Sequence, residues 1–320
     1  MIRYLKNYEI NRRKWDECIE QAYNGNVYAW SWYLDLTCDG WDALVEGNYR
    51  NVFPVTRKQK LGFCYLAQPL FSQQLGLFSS GMPDADTINR FLIELFKRFS
   101  FAEICLNSYN LPDKNQFHVT QRQNLELDVI LSYEQLEAGY SANTIRNLRK
   151  ARRNGVTAGN PVAPELVAEM FRNNKGKHLT GLNHGYYQTL LKIIYSALER
   201  KSAEVIGAYT SQNELCAGAF LLRSHRRIVL IFSAYTKLAL ENGAMFLLID
   251  HVIRRYAGQP LTFDFEGSDI PGLARFYAGF GSKANAYPQV FHNNLPIPYK
   301  YLLRCYKLVR QSVFSFRSWL

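Results

Sequence analysis

The apolar residues of this chain run through the same cycle twice, and that repetition limits the folds open to it. Helices show apolar residues at a period of 3.6 and half-buried strands at a period of 2. Read this way, the first half gives a short strand at 2–5 and helices at 12–23 and 28–36. Strands follow at 42–45, 52–56, 62–66 and 74–78, then a helix at 84–99 and strands at 101–106 and 124–130. The second half gives helices at 163–174 and 184–201, strands at 204–209, 216–222 and 228–235, a helix at 238–256, a strand at 261–265, a helix at 270–278 and a strand at 286–291. Gly47-Asn48 and Gln212-Asn213-Glu214 mark turns between strands, and Asp84 or Asp86 is placed to cap a helix. Each half reduces to two helices, a run of strands, a helix and a strand. With 320 residues, the length suits two domains of ordinary size. The reading is an α/β chain with a mixed α+β sheet, duplicated internally; a single α/β domain of mixed order would use the same elements. The expected division is 1–131, then 132–295 with a basic helix at 141–153, then a basic amphipathic tail at 296–320.

Hydrophobic residues make up 48% of the chain, too many for a disordered protein. The net charge of +11 is concentrated in two places. Segment 141–153 holds Arg146, Arg149, Lys150, Arg152 and Arg153 without an acid; segment 296–320 holds Lys300, Arg304, Lys307, Arg310 and Arg317, again without one. Outside these two segments bases and acids nearly balance, so each is a candidate seat for an anion. No apolar run reaches the roughly 20 residues of a bilayer-spanning helix, and the start lacks a signal-peptide core. The expected location is the cytoplasm, with the inner-membrane surface as a second. Cys18, Cys38, Cys64, Cys105, Cys216 and Cys305 form no C-x-x-C pair and read as reduced thiols in apolar settings. The six His residues show no metal-ligand spacing, so no metal is expected.

The chemistry centres on Thr262-Phe263-Asp264-Phe265-Glu266-Gly267. Strand alternation would place both carboxylates on one face, with Gly267 turning the chain away after them. Ligands of open α/β sheets bind at the C-terminal ends of strands. A carboxylate there can take the proton of an amine nucleophile, and a close pair raises the pKa of one member. The alternative is a turn cap or an ion pair with an arginine such as Arg275; Ser268 or Asp269 is placed to cap the next helix. On the basic helix, capped by Ser141 or Asn143, Arg146, Arg149, Lys150 and Arg153 share one face. They are candidate phosphate ligands for a nucleotide, a tRNA or an undecaprenyl-type phosphate, the alternative being a solvated face. The tail at 299–313, with Lys300, Arg304 and Lys307 on one face, either docks on the protein or lies on an anionic membrane. His178 and His184 sit in a Gly-rich stretch, Gly176 to Gly185, expected to form a mobile loop beside the cleft. Gln68, Gln73 and Gln74 flank Pro69 and are candidate readers of substrate amides.

Three strands, a helix and a strand, followed by Ile270-Pro-Gly-Leu-Ala-Arg-Phe-Tyr-Ala-Gly-Phe-Gly281, resemble the C-terminal segment of Fem-type (FemABX-like) aminoacyl and peptidyl transferases of the GNAT superfamily. So does Asn143-Thr-Ile-Arg-Asn-Leu-Arg-Lys-Ala-Arg-Arg-Asn-Gly155. The resemblance implies a tandem duplicated GNAT (acyl-CoA N-acyltransferase) fold with a splay between its fourth and fifth strands, here 228–235 and 261–265. It implies direct N-acyl transfer from acyl-CoA or aminoacyl-tRNA to a small-molecule or envelope-precursor amine, without a metal. Asp264 and Glu266 would then be catalytic, and Tyr235, Phe276 and Tyr277 would bind substrate. Candidate partners are a tRNA or an anionic membrane surface; DNA is not expected. Two departures stand out. Acetyl-CoA users carry an Arg/Gln-x-x-Gly-x-Gly/Ala loop where this chain has Leu240-Glu-Asn-Gly-Ala-Met245, keeping Gly243 alone, and the helical-hairpin arm of peptidoglycan-building relatives is missing. The rival functions are a non-catalytic GNAT-like binding module and a membrane-associated scaffold for envelope polysaccharide synthesis. An open splay supports catalysis and a filled one the binding module.

Overall fold

The structure, a computed structural model, describes residues 1–60, 62–178, 182, 184–267 and 270–300. The chain forms two compact units: Met1–Gln123 with the segment from Asn285 onward, and Asn124–Ala284. The first contains β1 (Ile2–Leu5), α1 (Arg12–Gln21), α2 (Ser31–Thr37), β2 (Asp42–Glu46), β3 (Asn51–Val55), β4 (Arg57–Lys60), β5 (Phe63–Ala67), β6 (Phe78–Ser79), α3 (Ala85–Phe96) and β7 (Phe101–Cys105). The chain passes to the second unit along β8 (His118–Asp128). There follow α4 (Tyr133–Ala138), α5 (Ala142–Arg153), β9 (Thr157–Pro161), α6 (Pro164–Asn173), α7 (His184–Glu199), β10 (Ala203–Tyr209), β11 (Leu215–Ser224), β12 (Arg227–Tyr235), α8 (Lys237–Asn242), α9 (Ala244–Tyr256), β13 (Thr262–Asp264) and α10 (Pro271–Ala278). The chain returns to the first unit along β14 (Lys283–Asn293).

In the first unit the strands run β1-β2-β3-β6 and β4-β5-β7-β14; in the second they run β8-β13-β12-β11-β10-β9. Neighbours in the second unit are antiparallel except β12 and β13, which are parallel. Parallel neighbours need a crossover connection, and α8 and α9 supply it. Each unit receives its last strand from outside its own sequence half. β14 pairs with β7, Gln289 opposite Cys105; β8 pairs with β13, Glu126 opposite Asp264. The divisions therefore fall at 123/124 and 284/285 instead of 131 and 295. Strand pairing over such distances has no trace in a one-dimensional apolar pattern.

Local signals explain most element ends. Asn11 accepts the Lys14 N–H at the start of α1, Asp84 the Thr87 N–H at α3, and Ser141 the Thr144 N–H at α5. Ser132 and Gln135 form a reciprocal capping box at α4. The expected helix at 238–256 is two helices, because Gly243 adopts a left-handed φ of +80° and ends α8. It also lies tight against α5: a Cβ at this position would come 2.7 Å from the Asn147 carbonyl oxygen. β4, β9 and α4 were not expected, and the expected strand at 74–78 is reduced to β6 plus a single bridge, Leu75 to Leu106. The first unit thus has more strands than the second between its helices, so the two cycles agree in order without matching element for element.

The second unit's core packs α5, α9 and α10 on the sheet around Phe263, Phe265, Leu248, Ile249 and Phe280. Among the described residues no disulfide is present. Burial pushes the Cys18 thiol up to about 12, but Cys64 is exposed, unlike the apolar setting expected for it. Among the described residues no helix is long and apolar enough to cross a membrane. The tail helix expected at 299–313 lies outside the described residues from 301 on.

Candidate active site

β12 and β13 pair over a short distance: Arg227 with Thr262, Ile228 with Phe263 and Val229 with Asp264. Past Val229 they part. A cleft occupies the gap, lined by Leu230–Tyr235 of β12, by Phe265, Glu266 and Gly267, and by side chains from three other elements. Those are Phe171 of α6, Tyr186 of α7 and Leu273 and Tyr277 of α10, with Lys175 from the turn after α6. The strands separate because β13 stops. Glu266 and Gly267 have φ of +57° and +54°, two consecutive left-handed residues that take the chain out of the extended conformation.

That turn breaks the alternation on which the paired-carboxylate expectation rested. Asp264 and Glu266 do not share a strand face, since only Asp264 belongs to β13. Asp264 is 4% exposed and is held from several sides. Its Oδ1 accepts from the Glu266 backbone N–H at 2.9 Å and from Asn124 Nδ2 at 3.0 Å. Its Oδ2 accepts from Arg227 at 3.0 Å, and Arg227 also pairs with Glu126 at 2.9 Å. The arginine partner is therefore Arg227, not Arg275, which is exposed. Burial raises the Asp264 carboxyl above the usual carboxylate range; Arg227 opposes this and Glu126 adds to it. Asp264 does not line the cleft. It fixes the turn that presents Glu266.

Glu266 is 5% exposed and faces the cleft beside hydroxyl groups. The Tyr277 and Tyr186 hydroxyls are both raised well above their ordinary range, first by burial. The negative charge of Glu266 adds to both shifts. Burial also raises Tyr235. All three therefore stay protonated at neutral pH and can donate a proton or a hydrogen bond. Tyr235 and Tyr277, expected from the sequence to bind substrate, line the cleft. Phe276 does not: its ring packs edge-on against Phe246 and Phe280, supporting α10 from behind. Tyr186, Phe171 and Phe232 were not anticipated, since they come to the cleft from helices and a strand face whose apolar periodicity marked them only as core; Lys175, in the turn after α6, carried no signal.

Three other sequence-level sites resolve differently. Gln68 donates to the Ser72 carbonyl and accepts from the Cys105 N–H. Gln74 binds Gln73 and the Ser108 N–H. The Gln68 and Gln74 amides hold their own loop. On α5, Arg146 donates to Asn143 at 2.6 Å, while Arg149, Lys150 and Arg153 point away from the buried Thr144, Leu148 and Ala151. Arg152 lies on another flank and reaches Asp250 and Glu137. In the Gly176 to Gly185 stretch, His178 closes a 3-10 turn and His184 opens α7. Residues 179–181 and 183 lie outside the described residues, as do Ser268 and Asp269. The position before α10 is Ile270, and Pro271 starts the helix. Among the described residues no cluster of three or more His, Cys, Asp or Glu side chains is placed to hold a metal ion.

Residues 142–275 match the family model described as an acetyltransferase (GNAT) domain. The second unit carries a GNAT domain. Counted from β9, the cleft of this GNAT domain lies between its fourth and fifth strands, β12 and β13. No curated protein sequence matches the chain. Among solved structures it is similar to FemX, with a TM-score of 0.63 at 13% identity, covering 89% of this chain and 96% of that one. It is also similar to a conserved protein of unknown function from Bacteroides thetaiotaomicron, with a TM-score of 0.58 at 12% identity over 91% and 100% of the two chains. A third is L-PGS from Bacillus licheniformis, with a TM-score of 0.52 at 12% identity over 91% and 95%. These likenesses extend over both units and are likenesses of fold.

Proposed function

We propose that the GNAT domain transfers an acyl or aminoacyl group directly to an acceptor amine in the cleft between β12 and β13. The observation that carries this is the open splay with a buried carboxylate, Glu266, at its rim and protonated tyrosines around it. The donor carbonyl lies between the parted strands. The amine nitrogen forms its bond to that carbonyl carbon, and Glu266 takes the proton the amine loses. As the intermediate collapses, the bond from carbon to the leaving sulfur or oxygen breaks. A tyrosine hydroxyl, assigned to Tyr277, returns a proton to the leaving atom and is then reprotonated by way of Glu266. Asp264 acts through position: it anchors the Glu266 amide and so the turn. This assigns Glu266 the role of base and leaves Asp264 the supporting one.

The donor is an activated ester or thioester, from aminoacyl-tRNA or acyl-CoA. A helix N-terminus attracts phosphate through its unpaired N–H groups. At α9 one of these, Ala244 N–H, is already taken by Asn242 Oδ1 at 2.9 Å, and Gly243 is lodged against Asn147. That arrangement favours an aminoacyl ester over the pyrophosphate of CoA. The acceptor is a small-molecule or envelope-precursor amine. The test is to incubate the purified chain with a panel of acyl-CoAs and charged tRNAs plus candidate amines, and to detect amide products by mass spectrometry. Turnover with one donor class is expected, and Glu266→Gln should lower it by about 10²–10⁴-fold, the range of general-base catalysis, with donor binding unchanged. Donor binding without turnover in the wild-type chain would make the domain a binding module.

A further inference from the structure

We infer that the outer face of α5, together with α8, is a docking surface for an anionic lipid bilayer. The α5 helix carries no acid, and four of its five cations, all but Arg152, lie on the side opposite its buried residues. Arg146, Arg149 and Arg153 are exposed and Lys150 is half-buried. Among the described residues Arg146 meets only the neutral Asn143, and Arg149, Lys150 and Arg153 have no acidic partner. Like charges so close on one helix repel unless an anion answers them.

Beside this face lies a second, apolar feature. α5 packs against α8 on its Asn147 side, where Gly243 touches the Asn147 carbonyl. α8 buries Ala239 and Asn242 and leaves Leu240 61% and Leu238 41% exposed, with Lys237 also exposed at its first position. Its one acid, Glu241, is paired with Lys237. Cations on one helix and exposed leucines on the helix packed against it suit a bilayer: the cations stay among anionic headgroups while the leucines enter the acyl boundary. A nucleic acid would use the same cations, but single strands are gripped by stacking on aromatic rings, and α8 offers aliphatic side chains in their place. The surface is linked to the active site. The first turn of α5 is tied to the end of α10 through Ser141 N–H and Thr144 Oγ1, both donating to the Gly279 carbonyl. α10 in turn carries Tyr277 in the cleft. A docked α5 would hold the cleft of the same domain close to the headgroup layer, within reach of acceptors anchored there.

The test uses the full chain and sucrose-loaded vesicles of phosphatidylcholine, with and without phosphatidylglycerol, sedimented at low and high salt. The chain should pellet with the anionic vesicles at low salt and stay in solution with the neutral ones. Each cation near an anionic surface strengthens partitioning by about five-fold. The triple variant Arg149→Gln, Lys150→Gln, Arg153→Gln should therefore bind more weakly by on the order of 100-fold. Its melting temperature should stay that of the wild type. The double variant Leu238→Ser, Leu240→Ser should also lose vesicle binding while its retention of bulk tRNA on filters is unchanged. Wild-type chain that ignores anionic vesicles overturns the inference, as does a triple or double variant that pellets like the wild type. Loss of tRNA retention in the triple variant with vesicle binding intact would make α5 a nucleic-acid surface.

Discussion

At Glu266 the backbone holds a left-handed conformation that costs a non-glycine residue about 1–3 kcal/mol, and such strain persists where surrounding structure enforces it. Asp264 is the enforcing group, through its bond to the Glu266 N–H and its own tie to Arg227. The two carboxylates should therefore separate under mutation. Asp264→Asn leaves a weakened hold on Arg227 and should destabilise the second unit by about 1–3 kcal/mol, the cost of disturbing a buried hydrogen-bonded group. Turnover per folded molecule should change far less than in Glu266→Gln, which should keep a wild-type melting temperature. Calorimetry and initial rates on the same two proteins check both halves. Equal loss of turnover in the two variants with no change in melting would return Asp264 to the chemistry. Both residues stood out in the sequence as candidate carboxylates. That only Glu266 lines the cleft was not legible, because alternation assumes an extended backbone and nothing in Asp-Phe-Glu-Gly announces that the strand stops before the glutamate. Arg227 and Glu126, distant in sequence, carried no signal of their meeting.

The elements that were legible are those with local causes. Caps such as Ser141 and Asp84 and the long apolar stripe of α9 need only a few neighbouring residues to be recognised. β9, Thr157-Ala-Gly-Asn-Pro161, was missed for the opposite reason: it is a polar edge strand containing Gly and Pro, residues that edge positions tolerate and that strand patterns count against. The break between α8 and α9 was missed because an isolated Gly within an apolar helical pattern is ordinarily tolerated. Here Gly243 combines positive φ with contact to a neighbouring backbone. Gly243→Ala should lower the stability of the second unit by about 1–3 kcal/mol, since the left-handed conformation is strained for alanine and the Asn147 carbonyl belongs to a packed helix that cannot easily yield. The alanine variant should unfold at lower urea concentration than wild type. An unchanged midpoint would mean that α5 and α8 can move apart at little cost.

For the molecule as a whole, the repeated order of elements indicated two units, and the structure divides them elsewhere than at 131 and 295. Residues 1–131 lack β14, which pairs with β7, and residues 132–295 lack β8, which pairs with β13. Fragments cut there should aggregate or give poorly dispersed NMR spectra. A fragment of 124–284 keeps every strand pairing of the second unit, including Glu126–Asp128 of β8 with β13, and should give a dispersed spectrum; if it does not, the second unit depends on the first for its fold. The exchange of final strands also sets an order of events during synthesis. On the ribosome β8 emerges before any of the partners it will join, so the second unit has all its strands as soon as α10 is made. The first unit, begun earlier, must wait for β14. Until then β7 presents an open edge, the kind of surface that recruits strands from other chains. The nascent chain is exposed to misassembly for most of its translation, and the half made first is the last to close.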